Sequence, residues 1–236
     1  MSRLALSRRF AWGLAGAPVL AAFLATAAVL AAPQASGPVP ASAASAAAGQ
    51  QIAVLAGGCF WGMESVFEHV KGVRQVQSGY AGGAASTAHY DQVSDGDTGH
   101  AESVRIVYDP AQVSYADLLK IYFAVAHDPT EKDRQGPDVG TQYRSEIFYL
   151  NAQQKQIASQ TIAQLNASKV FSKPIVTEVA PLPAFYPAEA YHQDYAERHP
   201  NNLYIVINDA PKVAQLKSMY PQFYRASEAL ASTEQP

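Results

Sequence analysis

The chain has 236 residues, of which 17 are Lys or Arg and 20 are Asp or Glu, so its formal net charge is −3. This balance provides no basic surface for nucleic acid, and a hydrophobic fraction of 48% excludes wholesale disorder. The one cysteine, Cys59, excludes an intramolecular disulfide and a cysteine-rich metal cluster. Cys59 is therefore a buried small hydrophobe, an intermolecular link or a reactive thiol.

The N-terminal segment differs in composition from the rest of the chain. Arg3, Arg8 and Arg9 precede an uncharged and largely apolar stretch at 10–32, which is followed by small residues. A basic head, an apolar stretch and small residues are typical of an export signal, so we expect residues 1–32 to direct export, to the periplasm. The apolar stretch is also long enough to span a bilayer, which leaves an uncleaved membrane anchor as the alternative.

The composition predicts three further parts after this signal. Residues 33–50 are rich in Ala, Ser and Pro and are expected to form a flexible linker. Residues 51–225 have the length and composition of one globular domain, and 226–236 form a short tail. Without the three N-terminal arginines, 14 basic residues face 20 acidic ones, so the exported domain carries a charge near −6.

The periodicity of apolar residues and the positions of helix and strand breakers predict the elements of this domain. In chain order they are a buried strand at 52–56, a helix at 60–70, strands at 73–80 and 103–108, a helix capped by Ser114 and ending near 126, a long polar loop at 127–143, a strand at 145–150, a helix capped by Asn151 and ending near 169, a strand at 175–179, a short helix at 188–198, a strand at 203–207, and one or two helices within 211–225. Because strand lengths vary and loops are long, the order favours an α+β domain with a mixed sheet.

Cys59 lies at a predicted strand-to-helix junction, directly after Gly57 and Gly58. The free backbone N–H groups and the helix dipole stabilise an anion at such a position, so we expect its thiol to ionise more easily than usual. No close pair of metal ligands accompanies it, so no metal site is predicted. Any of the six histidines can fold back beside the thiol, so the residues alone leave hydrolytic and redox chemistry open.

The segment Gly57-Gly58-Cys59-Phe60-Trp61-Gly62-Met63-Glu64 resembles the signature of the peptide-methionine (S)-S-oxide reductases, the A-type methionine sulfoxide reductases. Further blocks agree in order and spacing: Gly79-Tyr80-Ala81-Gly82-Gly83, Gly99-His100-Ala101-Glu102, Val107-Tyr108-Asp109-Pro110, His127-Asp128-Pro129-Thr130, Asp138-Val139-Gly140-Thr141-Gln142-Tyr143-Arg144-Ser145 and Ala190-Tyr191-His192-Gln193. The resemblance implies an α+β roll or sandwich with flanking helices. It also implies reduction of methionine S-sulfoxide, in oxidised proteins and as the free amino acid, as a repair reaction.

The resemblance implies four catalytic residues. Cys59 attacks the sulfoxide sulfur and becomes a sulfenic acid while methionine is released. Glu102 supplies protons to the leaving oxygen, for which its carboxyl group needs a desolvated pocket. Tyr90 and Tyr143 hydrogen-bond the sulfoxide oxygen.

The resemblance implies four substrate-binding residues as well. Phe60 and Trp61 form an apolar pocket for the S-methyl group. Asp138 holds the backbone of the substrate, and Tyr204 falls near the position of another aromatic residue of the family's active site. The role of Glu64 stays open.

The regeneration of Cys59 follows from the absence of a second cysteine. Many family members carry recycling cysteines in a C-terminal tail, and this chain resembles the subgroup without them. The sulfenic acid must then be reduced by an external thiol, from a thioredoxin-like protein or from glutathione with a glutaredoxin. We expect a monomer without a bound cofactor. A one-cysteine peroxidase and an exported binding module with a structural cysteine remain as alternatives.

Overall fold

A mixed six-stranded sheet lies at the centre of the computed structural model, which describes residues 49–226. The strands are β1 Gln51–Gly57, β2 Val73–Ala81, β3 Ala101–Tyr108, β4 Arg134–Gln135, β5 Asp138–Val139, β6 Ser145–Tyr149, β7 Glu178–Pro181 and β8 Phe185–Pro187. The sheet order is β7-β6-β1-β3-β2-β8, and all pairs are antiparallel except β6 and β7. Strands β4 and β5 pair separately as a small hairpin. The predicted α+β class with a mixed sheet is confirmed.

Helices pack around this sheet, and the two with predicted caps, after Ser114 and Asn151, begin where the capping pattern predicts. They are α1 Phe60–Glu68, α2 Tyr90–Val93, α3 Tyr115–Ile121, α4 Ala152–Ser168, α5 Tyr195–Arg198 and α6 Ala210–Met219. Ser114 and Asp117 form a capping box at the start of α3, and the side chain of Asn151 accepts the backbone N–H of Gln154 at the start of α4. A π-helical turn at Tyr122–Ala126 continues α3, and another at Ile205–Asp209 precedes α6.

Strand β1 is buried on both faces of the sheet. Ala53 and Leu55 face the main core, which they share with α1 and α3, whereas Val54 and Ala56 face a smaller apolar cluster on the other side. Leu55 pairs with Val104 in the register of β1 with β3. Because both faces of β1 are buried, its sequence is a continuous apolar run. Packing on both sides also holds the end of the strand in place.

The strand predicted at 203–207 is wrong. These residues are helical and lead through the π-helical turn into α6. Ile205 is buried, but Leu203 and Ile207 are exposed, so the alternation of a half-buried strand is absent. A run of β-branched residues favours a strand locally, and the packing of Ile205 and Leu216 against the domain overrides that preference.

Two other predictions differ from the structure in their bounds, and two features were not expected. The strand expected at 175–179 lies three residues later, as β7, and includes Pro181, which an edge strand tolerates. The helix expected at 188–198 is divided into a 3₁₀ turn and α5, because Asp194 adopts a left-handed conformation with φ of 51°. Strand β8 and the β4–β5 hairpin inside the predicted 127–143 loop were not expected.

The predicted export signal at 1–32, nearly all of the linker at 33–50, and the tail beyond residue 226 lie outside the described residues. Within residues 49–226, no helix is both long enough and apolar enough to cross a membrane.

Candidate active site

Cys59 is positioned by a glycine turn between β1 and α1. Gly58 has φ of 93°, and a Cβ atom there would lie 2.6 Å from the Cγ atom of Gln135, so only glycine fits. A Cβ atom on Gly57 would lie 2.9 Å from the ring of His127. Cys59 itself is the N-cap residue of α1 and is half-buried. The predicted strand–glycine–cysteine–helix arrangement is therefore present.

Glu102 lies beside this junction, on β3. It is 2% exposed, and its Oε2 atom accepts the backbone N–H of Phe60 at 3.0 Å. Burial raises the pKa of Glu102 to about 8; the hydrogen bond from Phe60 opposes this shift, and the charge of Asp138 adds to it. At neutral pH the carboxyl group is mostly protonated, which is the state that a proton donor requires.

The surroundings of Cys59 oppose ionisation of its thiol, contrary to the expectation from its place at a helix N-terminus. Burial raises the pKa of Cys59 well above its usual range, and the nearby charges of Glu102 and Asp209 raise it further. The backbone N–H of Trp61 acts in the opposite direction. Desolvation and neighbouring carboxylates outweigh the helix terminus here.

The indole of Trp61 is held on three sides. It stacks on Tyr195 with ring centroids 3.8 Å apart, and Tyr204 approaches it edge-on at 6.0 Å. Its Nε1–H donates to the Nδ1 atom of His192 at 3.2 Å. These contacts fix the ring as a flat apolar wall next to Cys59.

The buried ring of His192 joins two other predicted site residues. Its centroid lies 5.0 Å from that of Phe60 and 4.4 Å from that of Tyr90. The backbone N–H of Tyr90 donates to Glu189, which places the tyrosine at the start of α2. Burial and then the charge of Glu102 raise the pKa of Tyr90 to about 12, so its hydroxyl remains a proton-bearing donor.

The loop predicted at 127–143 carries two more of the predicted residues. Asp138 lies in β5 and Tyr143 ends a 3₁₀ turn. The hydroxyl of Tyr204, from the helical segment before α6, donates to Asp138. Burial raises the pKa of Tyr143, and the charges of Glu102 and Asp138 contribute. The structure thus brings together, in one electrostatically coupled group, residues from across the chain: Cys59, Tyr90, Glu102, Asp138, Tyr143 and Tyr204.

Sequence reasoning did not single out three residues beside this group: His192, Tyr195 and Asp209. His192 stands within the motif block Ala190-Tyr191-His192-Gln193, which was the available indication for it. Asp209 had no such indication: it is fully buried, forms an ion pair with Lys212 at 3.2 Å, and packs on the first turn of α1 at Gly62.

Glu64, whose role was open, links α1 to the segment that carries His192. Its carboxylate accepts the backbone N–H groups of Ser78 at 3.2 Å and Asp194 at 3.0 Å. Burial and then the charge of Asp194 raise the pKa of Glu64 to about 8. Glu64, Glu68 and Asp194 each place a carboxylate oxygen within 4.8 Å of the others. The two oxygens of Glu64 are already engaged by backbone, which indicates a structural role.

The fold and the site define a class: an α+β protein with a cysteine at a helix N-terminus, a buried carboxyl group beside it, and a cluster of aromatic side chains. A sequence profile of the family described as "Peptide methionine sulfoxide reductase" matches residues 51–223. The chain belongs to this family, and it is an oxidoreductase that reduces methionine sulfoxide.

Individual relatives agree with this assignment. The chain is 54% identical over 185 residues to "Peptide methionine sulfoxide reductase MsrA 2" of Mesorhizobium japonicum, covering 78% of this chain and 95% of that protein. It is 53% identical to the protein of the same name from Synechocystis sp., covering 76% and 84%.

Solved structures show the same fold. Mxr1 from Saccharomyces cerevisiae in reduced form superposes with a TM-score of 0.60 at 31% identity, covering 66% of this chain and 89% of that one. Methionine sulfoxide reductase A of Corynebacterium diphtheriae gives 0.57 at 38% identity, covering 65% and 76%.

Proposed function

We propose that this protein reduces methionine S-sulfoxide through a sulfenic acid on Cys59, with Glu102 as the proton donor. The sulfur of the sulfoxide is partly positive and its oxygen is basic. Attack by the Cys59 sulfur forms an S–S bond while the S–O bond breaks, and the oxygen leaves as water after it has gained two protons. Water then adds to the Cys59 sulfur and loses one proton as the S–S bond breaks, which gives the sulfenic acid and methionine. The observation that carries this proposal is the buried Glu102 carboxyl group, hydrogen-bonded to the residue that follows Cys59.

The raised pKa values of Cys59 and Glu102 are consistent with one order of proton transfers. At neutral pH the thiol of Cys59 and the carboxyl of Glu102 are both protonated in the free protein. A bound sulfoxide brings a partial positive charge to the thiol, which favours its ionisation, and a basic oxygen to the carboxyl group, which accepts its proton. Hydroxyl groups of Tyr90 and Tyr143 then hydrogen-bond the oxygen as its charge develops.

The aromatic wall provides the basis for choosing one sulfoxide epimer. Phe60 and Trp61 form the apolar side, and the tyrosine hydroxyls form the polar side. A sulfur atom attacked from Cys59 with its methyl group on one side and its oxygen on the other is bound in one configuration only. Asp138 and Tyr204, which are hydrogen-bonded to each other, hold the backbone of a peptide or the amino-acid group of free methionine sulfoxide.

Regeneration of Cys59 requires thiols from other molecules, because the chain has no second cysteine. One external thiol condenses with the sulfenic acid to give a mixed disulfide and water. A second thiol breaks that disulfide and restores Cys59. A thioredoxin-like protein or glutathione with a glutaredoxin fits this chemistry, and no bound cofactor takes part. We propose that the protein acts as a monomer.

We also propose that this reaction takes place after export, in the periplasm. The basic and then apolar composition of residues 1–32 supports export, and residues 10–32 support a membrane anchor as the alternative. Fractionation of cells that produce the full chain, with the mass of the recovered protein, separates the two: a shortened protein in the periplasmic extract supports cleavage.

One single-turnover experiment tests the chemistry. The protein is mixed with an excess of methionine S-sulfoxide without any thiol, and both methionine and protein mass are measured. We expect one methionine per protein and a gain of about 16 Da on Cys59, the mass of one oxygen atom. Cys59→Ser should give neither. An unmodified thiol without methionine, or a reaction with hydrogen peroxide but not with the sulfoxide, would refute the proposal.

A further inference from the structure

Two segments of the chain carry the three groups that the proposed reaction directs at the sulfoxide oxygen. Tyr143 lies in a 3₁₀ turn after β5, whereas Tyr90 begins α2 and Glu102 lies on β3. The loop at 94–100, which has no helix or strand of its own, connects α2 with β3. The two tyrosine hydroxyls and the carboxyl group reach one oxygen atom together only if the two segments keep a fixed spacing.

Three side chains that flank Tyr143 hold the two segments together. Each donates a hydrogen bond to a backbone carbonyl of the 94–100 loop: Thr141 Oγ1 to Gly96 at 2.6 Å, Gln142 Nε2 to Ser94 at 2.9 Å, and Arg144 Nη2 to Gly99 at 3.1 Å. Thr141 is exposed and Arg144 is partly exposed, but Gln142 is only 4% exposed. Water competes least with the buried donor, so the hydrogen bond of Gln142 contributes most to the fixed spacing.

The amide group of Gln142 fits between two glycines of positive φ. A Cβ atom on Gly96 would lie 2.9 Å from its Oε1 atom, and a Cβ atom on Gly140 would collide with the same atom. This Oε1 atom is buried and accepts no hydrogen bond from the residues that the structure describes. Burial of an unpaired amide oxygen costs stability, so stability alone would favour an apolar side chain of the same length. The amide is better explained by what its N–H group holds.

We propose that Gln142 is a positioning residue for the reduction of the sulfoxide. Its hydrogen bond to the Ser94 carbonyl keeps the hydroxyl of Tyr143 on the same oxygen atom as the two groups of the other segment, Tyr90 and Glu102. This inference rests on the proposed function of the site and adds a residue that acts on it without touching the substrate.

Loss of this hydrogen bond should slow the reduction and leave substrate binding nearly unchanged. Asp138, which holds the backbone of the substrate, is fixed independently of Gln142. It pairs with Gln135 in the β4–β5 hairpin and accepts the hydroxyl of Tyr204. The rate and the affinity therefore respond differently to a change at Gln142.

Single-turnover kinetics with methionine S-sulfoxide measure these two quantities separately. Gln142→Met keeps the length of the side chain and loses the donor. We expect the maximal rate of methionine formation to fall by about 10- to 100-fold, the scale of a displacement of about 1 Å, and the half-saturating concentration to change by less than about threefold. In a Tyr143→Phe background the same change should cost less than about twofold, because the hydroxyl that it positions is gone.

Gln154→Met is the matched control. Gln154 is 5% exposed and also bonds two backbone groups, the carbonyl of Ile52 at 2.7 Å and the N–H of Leu150 at 2.9 Å. It lies in the first turn of α4, and Ile52 is at the opposite end of β1 from Cys59. This variant should lose stability but keep the maximal rate within about twofold of the wild type.

Gln142→Glu gives a second measurement and replaces Gln142→Met if that variant does not fold. A carboxyl group donates to the Ser94 carbonyl only when it is protonated. The maximal rate of Gln142→Glu, divided by that of the wild type at the same pH, should therefore rise as the pH is lowered from about 8 to about 5.

Three results would overturn the inference. The first is an equal maximal rate for Gln142→Met and the wild type, or a rate ratio for Gln142→Glu that does not change with pH. The second is an equal loss in the wild-type and Tyr143→Phe backgrounds, which shows that Gln142 does not act through Tyr143. The third is an equal loss in Gln154→Met, which shows a general effect of stability. A wild type that forms no methionine from the sulfoxide refutes the proposed function itself.

Discussion

The Oε2 atom of Glu102 accepts the backbone N–H of Phe60 at 3.0 Å. This hydrogen bond joins β3 to the first turn of α1, so the carboxyl group and the Cys59 sulfur are held by neighbouring backbone and not by flexible loops. The bond occupies one oxygen of a carboxyl group that is 2% exposed. A proton on the other oxygen is then available to a bound sulfoxide.

Replacing Glu102 by Gln should lower the rate of methionine formation in a single turnover by about 10²- to 10⁴-fold, the usual contribution of a positioned acid. The amide oxygen of Gln can still accept the N–H of Phe60, so at pH 5 the melting temperature should stay close to that of the wild type. A change in rate of less than threefold would show that the proton comes from another group.

The single-turnover rate should fall as the pH rises through about 8. Burial raises the pKa of Glu102 from 4.5 to about 8, so the acid form dominates below that pH and decreases tenfold for each unit above it. Rapid-quench measurements between pH 5 and 10 check this. In Glu102→Gln the same falling limb should be absent. A rate that rises through pH 8 in the wild type would indicate that ionisation of a thiol limits the reaction.

The free energy of unfolding should depend on pH through the same carboxyl group, Glu102, and the direction of that change follows from its pKa. A folded-state pKa above the unfolded value means that the folded protein binds the extra proton. The contribution of Glu102 is full below about pH 4.5 and is lost as the pH rises to about 8. The free energy of unfolding of Glu102→Gln minus that of the wild type should therefore increase by at least about 1 kcal/mol between pH 5 and 8. Denaturant titrations measure it, and a constant difference would contradict it.

Removing the acceptor for the indole should weaken substrate binding. In His192→Phe the Nε1–H of Trp61 loses its partner, so kcat/KM for methionine S-sulfoxide should fall about tenfold, mainly through KM. Tyr195→Phe keeps the ring that stacks on Trp61 and should change kcat/KM by less than about twofold. Steady-state kinetics with a saturating thiol donor distinguishes the two. Equal values for the wild type and His192→Phe would show that stacking alone fixes the indole.

Gly62→Ala should destabilise the domain by about 1–3 kcal/mol, because a Cβ atom at this position would lie 2.1 Å from the Oδ1 atom of Asp209. Thermal unfolding measures the loss. In an Asp209→Ala background the same change should be less damaging, since the colliding carboxylate is gone. If the losses of stability of the two single variants simply add in the double variant, the strain does not come from the contact with Asp209.

Local patterns predicted most of the elements. The glycine pair before Cys59, the Ser114 capping box and the Asn151 cap each act within a few residues, so they are readable without a fold. The run at 203–207 was misread because its composition favours a strand, while contacts with distant elements make it helical.

Residue identity and spacing alone were enough to assign the family and to single out Cys59, because the motif blocks are local in sequence. Tertiary structure decided the ionisation of Cys59 and Glu102, the partners of Trp61, and the place of Asp209. The physical reason is that pKa values follow burial and through-space charge, which arise when segments distant in sequence pack together.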